Sequence, residues 1–535
     1  MSKGRANLFF RKKYLRDKVN KEFGIKRDNI ELEENVSLYY EDCINNSESN
    51  YIDDDTWDDL EMDEVFLKIN HTYSFIGEQY LYKKLHFPLE KNIDIEEHIK
   101  TYSENEELRL DVSEKLAGIG KSYYDYMLID VLKDMNYWQM KNGWQYRVLQ
   151  LTLFGFLIAA MITGNPLFLF LSILNAVSNL VIYVFVKGNY EQLMFSTGSV
   201  KAIVAFSQFI DNDKRLKIMY HSDELDRTIA DLKKISRKMI AIQTRQSYMA
   251  TGDLSGILMM YIYGVFLFDV IALEKVVRLL SRELDKVIKL YELVGRIDTE
   301  ISIASYRKSV VGYTVPEYTQ KRHVIMEQMR HPLLDKAVEN DVDMTGNILV
   351  TGTNASGKST YMKGVAINII LAQTINTALC SRISLPRIMV ITSMSLRDDI
   401  VSGQSYYMKE ILQVKRIIDA DNDNVPIFTV VDEIFKGTNS KERVAAAYAV
   451  LSYMNKLNLM VMIATHDMEL IDMLKEMYEC YCFNSKIKNG KIYFDYKLYK
   501  GVNKLSNAIA LMELMNYPKE IVDRQERWYN CFILM

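Results

Sequence analysis

Gly352, Gly357, Lys358 and Ser359 stand at the spacing G-x-x-x-x-G-K-S in "TGTNASGKST", directly after the apolar run "NILV". Residue types at this spacing suit a bound phosphate. The glycines let backbone N–H groups approach the ligand, Lys358 brings positive charge to the β- and γ-phosphates, and Ser359 offers a hydroxyl to Mg²⁺. A helix opening at Thr360 would aim its positive end at the same phosphates. Further along, "VPIFTVVDE" is an apolar strand ending in two carboxylates. There Asp432 is placed to hold Mg²⁺ through water and Glu433 to polarise an attacking water. A second apolar strand ends in "ATHDMEL", which puts His466 where it can sense a γ-phosphate. Between the glycine-rich turn and the strand ending at Asp432 lies "RDDIVSGQSYYMKEILQ", in which Ser402, Gly403, Gln404 and Ser405 open a helix. That stretch is either a phosphate grip serving the nucleotide of a second subunit or a plain helix cap.

These residues need a scaffold. From about residue 320 short β-type runs alternate with helices: "NILVTG", "RIMVITSM", "PIFTVVDE", "LMVMIATH" and "KIYFDYKLY". Such alternation means an α/β domain with a largely parallel, buried sheet. Before it the texture is helical. Residues 1–52 form a basic then acidic arm. Residues 53–147 carry apolar positions such as Leu60, Val65, Phe66 and Ile69 at helical spacing, and 188–318 form long, charged, Gly- and Pro-poor helices. The α/β domain is expected over 319–500, with a closing segment at 501–535.

Residues 148–187 differ from everything around them. No formal charge interrupts Val148 to Val186, and Gly164-Asn165-Pro166 divides the run into pieces of about 17 and 21 residues. Each is near the length an α-helix needs to cross about 30 Å of hydrocarbon. Lys141, Arg147 and Lys187 flank the outer ends, as suits a hairpin with both ends in the cytoplasm. A buried helical pair in a soluble core would also be apolar, but seldom lacks charge for so long. The stretch Leu254–Leu273 is weaker, because Asp269 interrupts it and a third crossing would put the N-terminal region and the α/β domain on opposite sides. It reads as a buried or interfacial helix.

At 535 residues the chain is long for one core, and its apolar (49%) and charged (25%) shares exclude wholesale disorder. A net charge of −4 gives no global attraction to nucleic acid, so any such binding needs a local basic patch. The five cysteines show neither a paired framework nor metal-ligand spacing, which fits reduced thiols facing a cytosol. No apolar segment of signal-peptide length lies near the start.

The order and wording of the motifs resemble the MutS proteins of DNA mismatch repair, a branch of the ABC-type ATPases. "TGTNASGKSTYMKGVA" is similar to the MutS phosphate loop, although Thr353 stands where that family usually has proline. "RDDIVSGQSYYMKE" resembles the signature stretch, "DEIFKGTNSKER" the Walker B motif with its D-loop, and "THDMEL" the His loop. "RHPLLDKAVENDV" resembles the lead into the ATPase, and "YKLYKGVNKLSNAIALMELMNYPKEIVDRQERW" the closing helix–turn–helix through which MutS subunits dimerise. A fainter likeness to the start of the MutS core begins at "LEMDEVFLKINH". The resemblance implies an ABC-type P-loop ATPase domain, preceded by an all-α core- and lever-like region that carries the apolar hairpin. It implies ATP and Mg²⁺ as ligands and a homodimer sandwiching two ATPs. Gly352, Thr353, Asn354, Ala355, Ser356, Gly357, Lys358, Ser359 and Thr360 would hold nucleotide. Ser359 and Asp432 would hold metal, and Lys358, Glu433 and His466 would act in catalysis. Ser402, Gly403 and Ser405 would reach the partner's ATP.

The departures matter as much. No mismatch-reading domain with its Phe-x-Glu wedge is expected before residue 55, the space between the two core halves is expected to be too short for a full lever and clamp, and no nuclease domain of the Smr kind is expected. The expectation is therefore a membrane-anchored MutS-like ATPase. Its arms either bind branched or duplex DNA, through clusters such as "RKKYLRDK" and "KKISRK", or act on a membrane protein or lipid without DNA. Two short spans leave little room for a solute path. The Lys-, Ile- and Asn-rich wording suits a bacterial inner membrane.

Overall fold

The computed structural model describes residues 13–502 except 28–30, 46–49, 92–93, 139–142, 250–253, 354, 395–405, 422–423, 438 and 489–490, together with 517–518, 520–521 and 524. A mixed helical region comes first and an α/β region follows.

The organising element of the helical region is the 26-residue helix Leu284–Ser309. Val287, Leu290, Tyr291, Val294, Ile297 and Ile301 recur at three- and four-residue spacing along it and are all fully buried. It crosses the helix Phe75–His86 at very close range. A Cβ at Gly77 would lie 2.3 Å from Asp298 Oδ2, and one at Gly295 would lie 2.6 Å from Tyr80 Cβ, so only glycine fits on either side of the crossing. Asp298 is buried and accepts hydrogen bonds from the backbone N–H groups of Tyr73 (3.0 Å) and Ser74 (2.8 Å) and from Ser74 Oγ (2.6 Å). It thus satisfies backbone donors at the start of the neighbouring helix. Burial pushes its carboxyl up to about 6, against those hydrogen bonds.

The apolar run forms two antiparallel helices, Gly143–Thr163 and Pro166–Asn189. The first begins upstream of the charge-free stretch. Asn165 caps the second helix by accepting from the Leu167 N–H (3.0 Å), and Pro166 takes the first helical position. Both are long and apolar enough to cross a membrane. They are not a buried core pair: Met161 is 86% exposed, Ile162 78%, Leu151 67% and Phe185 69%. Between them Asn175 donates to Thr152 Oγ1 (2.8 Å), a polar tie inside an apolar pair. The stretch Leu254–Leu273 is not one helix. Leu267 has φ 52°, and the chain breaks there into Leu254–Val265, which exposes Leu258 and Tyr261, and Phe268–Leu280, which is packed inward. Carbonyls freed at the break are taken by the hairpin. Asn179 donates to Val265 O and Gln150 to Phe266 O, both at 2.8 Å.

The α/β region holds two sheets. In the first, β1 (Glu317–Tyr318), β5 (Arg382–Leu385), β2 (Val324–Met329) and β3 (Asn340–Met344) run in the order β1-β5-β2-β3. The second contains β4 (Asn347–Thr351), β6 (Met389–Ser393), β7 (Ile427–Asp432), β8 (Leu459–Ala464), β9 (Tyr478–Lys488) and β10 (Lys491–Lys500), in the order β10-β9-β4-β8-β7-β6. All its neighbours are parallel except the antiparallel edge strand β10. Every residue of β4 and β8 is buried, as expected of central strands covered on both faces. The helical and α/β regions share one hydrophobic core. Their joint is polar at Arg307, which makes two bonds to Glu96 (2.7 and 2.8 Å) and also donates to Thr377 Oγ1 and Asn376 O.

Candidate active site

The chain leaves β4 at Thr351, turns through 352–357 and enters the helix Lys358–Thr374. Gly352 has φ 145° and Gly357 φ 100°, conformations closed to other residues without strain. A side chain at Gly352 would also meet Phe483 O at 3.0 Å. Lys358 is largely buried. Its ammonium donates to Gly352 O (3.0 Å) and Thr353 O (3.2 Å) and stands 3.0 Å from His466 Nε2, so its three donors are all directed into the site. Burial lowers its pKa, against the pull of Asp432 and Glu433. Thr353 Oγ1 and Ser356 Oγ are buried hydroxyls without a hydrogen-bond partner among the described residues. Unpaired polar groups cost free energy unless a ligand satisfies them, and here they line a turn of phosphate-binding shape.

The other walls come from neighbouring strand ends. β7 ends at Asp432, whose Oδ2 accepts a short hydrogen bond from Ser359 Oγ. Glu433 follows with φ 60°, its N–H held by Ala464 O (3.0 Å). His466 follows β8, and its Nε2 lies 3.2 Å from Glu433 Oε1. Lys436 Nζ lies 3.4 Å from Glu433 Oε2. The hydrogen bond from His466, with smaller help from Lys436, holds the Glu433 carboxyl down at about 2 against its partial burial. One nitrogen cannot accept from Lys358 and donate to Glu433 at once, so the tautomer of His466 decides which of the two it serves. Ser359 and Asp432 give two hard oxygen ligands at one point. That donor set fits Mg²⁺, which keeps several waters and takes further oxygens from phosphate. The site opens into a cavity of ≈ 740 Å³ whose lining includes Ala355, Thr360, Glu433, His331 and Tyr496. Tyr496, from β10, covers the loop, and a Cβ at Gly357 would sit 3.1 Å from its ring.

The structure brings together Gly352, Thr353, Ala355, Ser356, Gly357, Lys358, Ser359, Thr360, Asp432, Glu433 and His466. Asn354 and the signature residues Ser402, Gly403 and Ser405 lie outside the described residues. Lys436 was visible in "DEIFKG", three residues after Glu433, but nothing in its spacing marked it. Tyr496 sits in an edge strand, with no local pattern to give it away.

A glycine turn between a central parallel strand and a helix, with carboxylates closing the strand beyond the next, defines a P-loop nucleotide-binding α/β domain. Comparison with known proteins narrows the class. Residues 348–532 match the family described as MutS domain V. The DNA mismatch repair protein MutS of Listeria monocytogenes serotype 4a is 31% identical over 258 residues, covering 46% of this chain and 30% of the relative. The MutS protein of Shouchella clausii is 30% identical over 228 residues (40% of this chain, 26% of the relative), and that of Pseudothermotoga lettingae 30% over 258 residues (46% and 31%). Over this region the chain is similar to MutS proteins. The matched stretch spans less than a third of each relative's length.

Proposed function

We propose that this protein is a membrane-anchored ATPase of MutS type, in which ATP binding closes two copies against each other and hydrolysis reopens them. The observation that carries the reading is the convergence of Lys358, the Ser359–Asp432 pair and the Glu433–His466 pair at the mouth of one glycine turn. Lys358 would meet the β- and γ-phosphates, and the helix behind it adds its dipole. Mg²⁺ held by Ser359 and Asp432 would neutralise charge on those phosphates. Glu433, kept ionised by His466 and Lys436, would orient and polarise the attacking water, while the buried loop hydroxyls take up phosphate oxygens. Ser402, Gly403 and Ser405 of a partner copy would complete each site. Helices flanking the exposed apolar pair would carry the closure toward the bilayer.

What the arms hold divides two readings. Matched relatives are named as DNA mismatch repair proteins, which supports DNA as the substrate. The exposed apolar hairpin, which lies outside residues 348–532, supports a membrane partner. ATPase activity of the full chain in vesicles, measured with and without duplex and branched DNA across a salt series, separates them. Stimulation that fades as salt rises supports DNA, because phosphate contacts release counterions. Failure of the full chain to float with vesicles would overturn the anchor.

A further inference from the structure

We propose that the helix Tyr406–Asp419 couples the hydrolysis site to the helical region, with Glu410 positioning the turn that carries Glu433, and with Arg416 passing the state of that turn to the acidic segment Asp53–Asp59. The proposal rests on the ATPase reading above and adds the route by which that site acts on the rest of the chain.

At the site end, Glu410 is buried. Its Oε1 accepts from the Lys436 N–H (2.9 Å) and its Oε2 from the Gly437 N–H (3.1 Å). These amides close the turn in which Glu433 and Phe435 hold positive φ of 60° and 59°. That backbone is strained for residues with side chains and needs outside support. Tyr407 adds an edge contact to the Phe435 ring at 6.0 Å. A shift of Glu433 and Lys436 on nucleotide binding therefore pulls on Glu410.

Six residues further, about 9 Å along the helix, Arg416 donates to Thr392 O and forms a close ion pair with Asp53, with Asp55 at 3.6 Å. The end of β6 and the residue just after it are held by the acidic segment. Thr392 N–H donates to Thr56 Oγ1 (3.1 Å), Thr392 Oγ1 to Asp59 Oδ2 (2.8 Å), and Met394 N–H to Asp59 Oδ2 (2.8 Å). Each of these bonds joins the α/β region to the helix Asp54–Asp59. From there the contact passes inward. Trp57, 4% exposed, stacks on His86 at 3.6 Å between ring centroids, and His86 closes the helix Phe75–His86 that crosses Leu284–Ser309. One rigid helix, pinned at both ends by charged groups, thus joins the catalytic turn to the core of the arms.

Trp57 is the reporter. In the full chain in detergent, Trp138→Phe, Trp144→Phe and Trp528→Phe leave it as the sole tryptophan. A non-hydrolysable ATP analogue is titrated while its binding is measured separately with radiolabel. The proposal expects Trp57 emission to change with analogue occupancy. Arg416→Gln and Asp53→Asn should bind the analogue within about three-fold of the parent and at least halve the Trp57 response, and Arg416→Lys should restore most of it. Glu410→Gln should lower kcat with KM nearly unchanged, the sign of a residue that positions the turn rather than binding ATP. A full-size Trp57 response in both Arg416→Gln and Asp53→Asn overturns the coupling. So does a silent Trp57 in a parent that binds the analogue, which would leave the ATPase reading standing. A parent that binds no analogue overturns the ATPase reading and the coupling with it. If Arg416→Gln fails to fold, Asp53→Asn decides alone, since it alters only the helical side of the pair.

Discussion

Replacing Lys358 by Met removes one charge from the phosphate site while keeping much of the side-chain volume. A lysine ammonium about 4 Å from a phosphate charge gains about 4 kcal/mol at an effective dielectric near 20. That gain is not free, because the ammonium already serves Gly352 O and Thr353 O, and also His466 Nε2 in the tautomer in which that nitrogen accepts. A phosphate oxygen must displace at least one of these, and a hydrogen bond to a charged donor contributes about 1.5–3 kcal/mol. The net is about 2 kcal/mol, or about a 30-fold weaker Kd for ATP in Lys358→Met. Equilibrium binding of labelled ATP in the presence of Mg²⁺ measures it. Binding by Lys358→Met within three-fold of the parent would refute the placement of this side chain against the phosphates.

Three further outcomes follow from the same geometry. Glu433→Gln should bind ATP about as well as the parent and hydrolyse it about 10²–10⁴-fold more slowly, read from single-turnover rates; near-normal turnover would take Glu433 out of the chemistry. Glu433 is held at about 2, below its ordinary 4.5, so it stays ionised through the mildly acidic range and the parent should show no acid limb from this group above pH 4. In His466→Asn the carboxyl should return toward 4.5, and residual activity should fall as pH drops through that value; an unchanged profile shape would remove His466 as the cause. Gly77→Ala drives a methyl against Asp298, 2.3 Å from Oδ2, and should cost about 1–3 kcal/mol of stability, seen as a lower Tm; an unchanged Tm would contradict the close crossing.

The candidate site was legible because its chemistry is local. Five short runs and three motifs put Lys358 and Ser359 after a glycine-rich turn and Asp432, Glu433 and His466 at strand ends, and the structure gathers them. The helical hairpin was legible for the same reason, since an unbroken apolar run is a property of neighbours in sequence. Strand β9 was missed because "YECYCFNSKIK" mixes polar, aromatic and basic residues and shows no strand alternation. Its place beside β4 is set by the sheet. The sheet built from β1, β2, β3 and β5 was missed because its strands are short and half exposed. The break at Leu267 could not be foreseen, since the groups that take up its carbonyls, Gln150 and Asn179, come from the hairpin about a hundred residues earlier. Glu410 and Arg416 look like ordinary charges on a helix. Only the turn at Lys436 and the segment at Asp53 give them work.

The most direct test of the central claim is the steady-state rate of Mg²⁺-dependent ATP hydrolysis by the purified full chain, with Glu433→Gln purified in parallel as the blank. The account predicts hydrolysis by the parent that disappears in the blank and on chelation of Mg²⁺. A parent rate indistinguishable from that of the Glu433→Gln protein would contradict it.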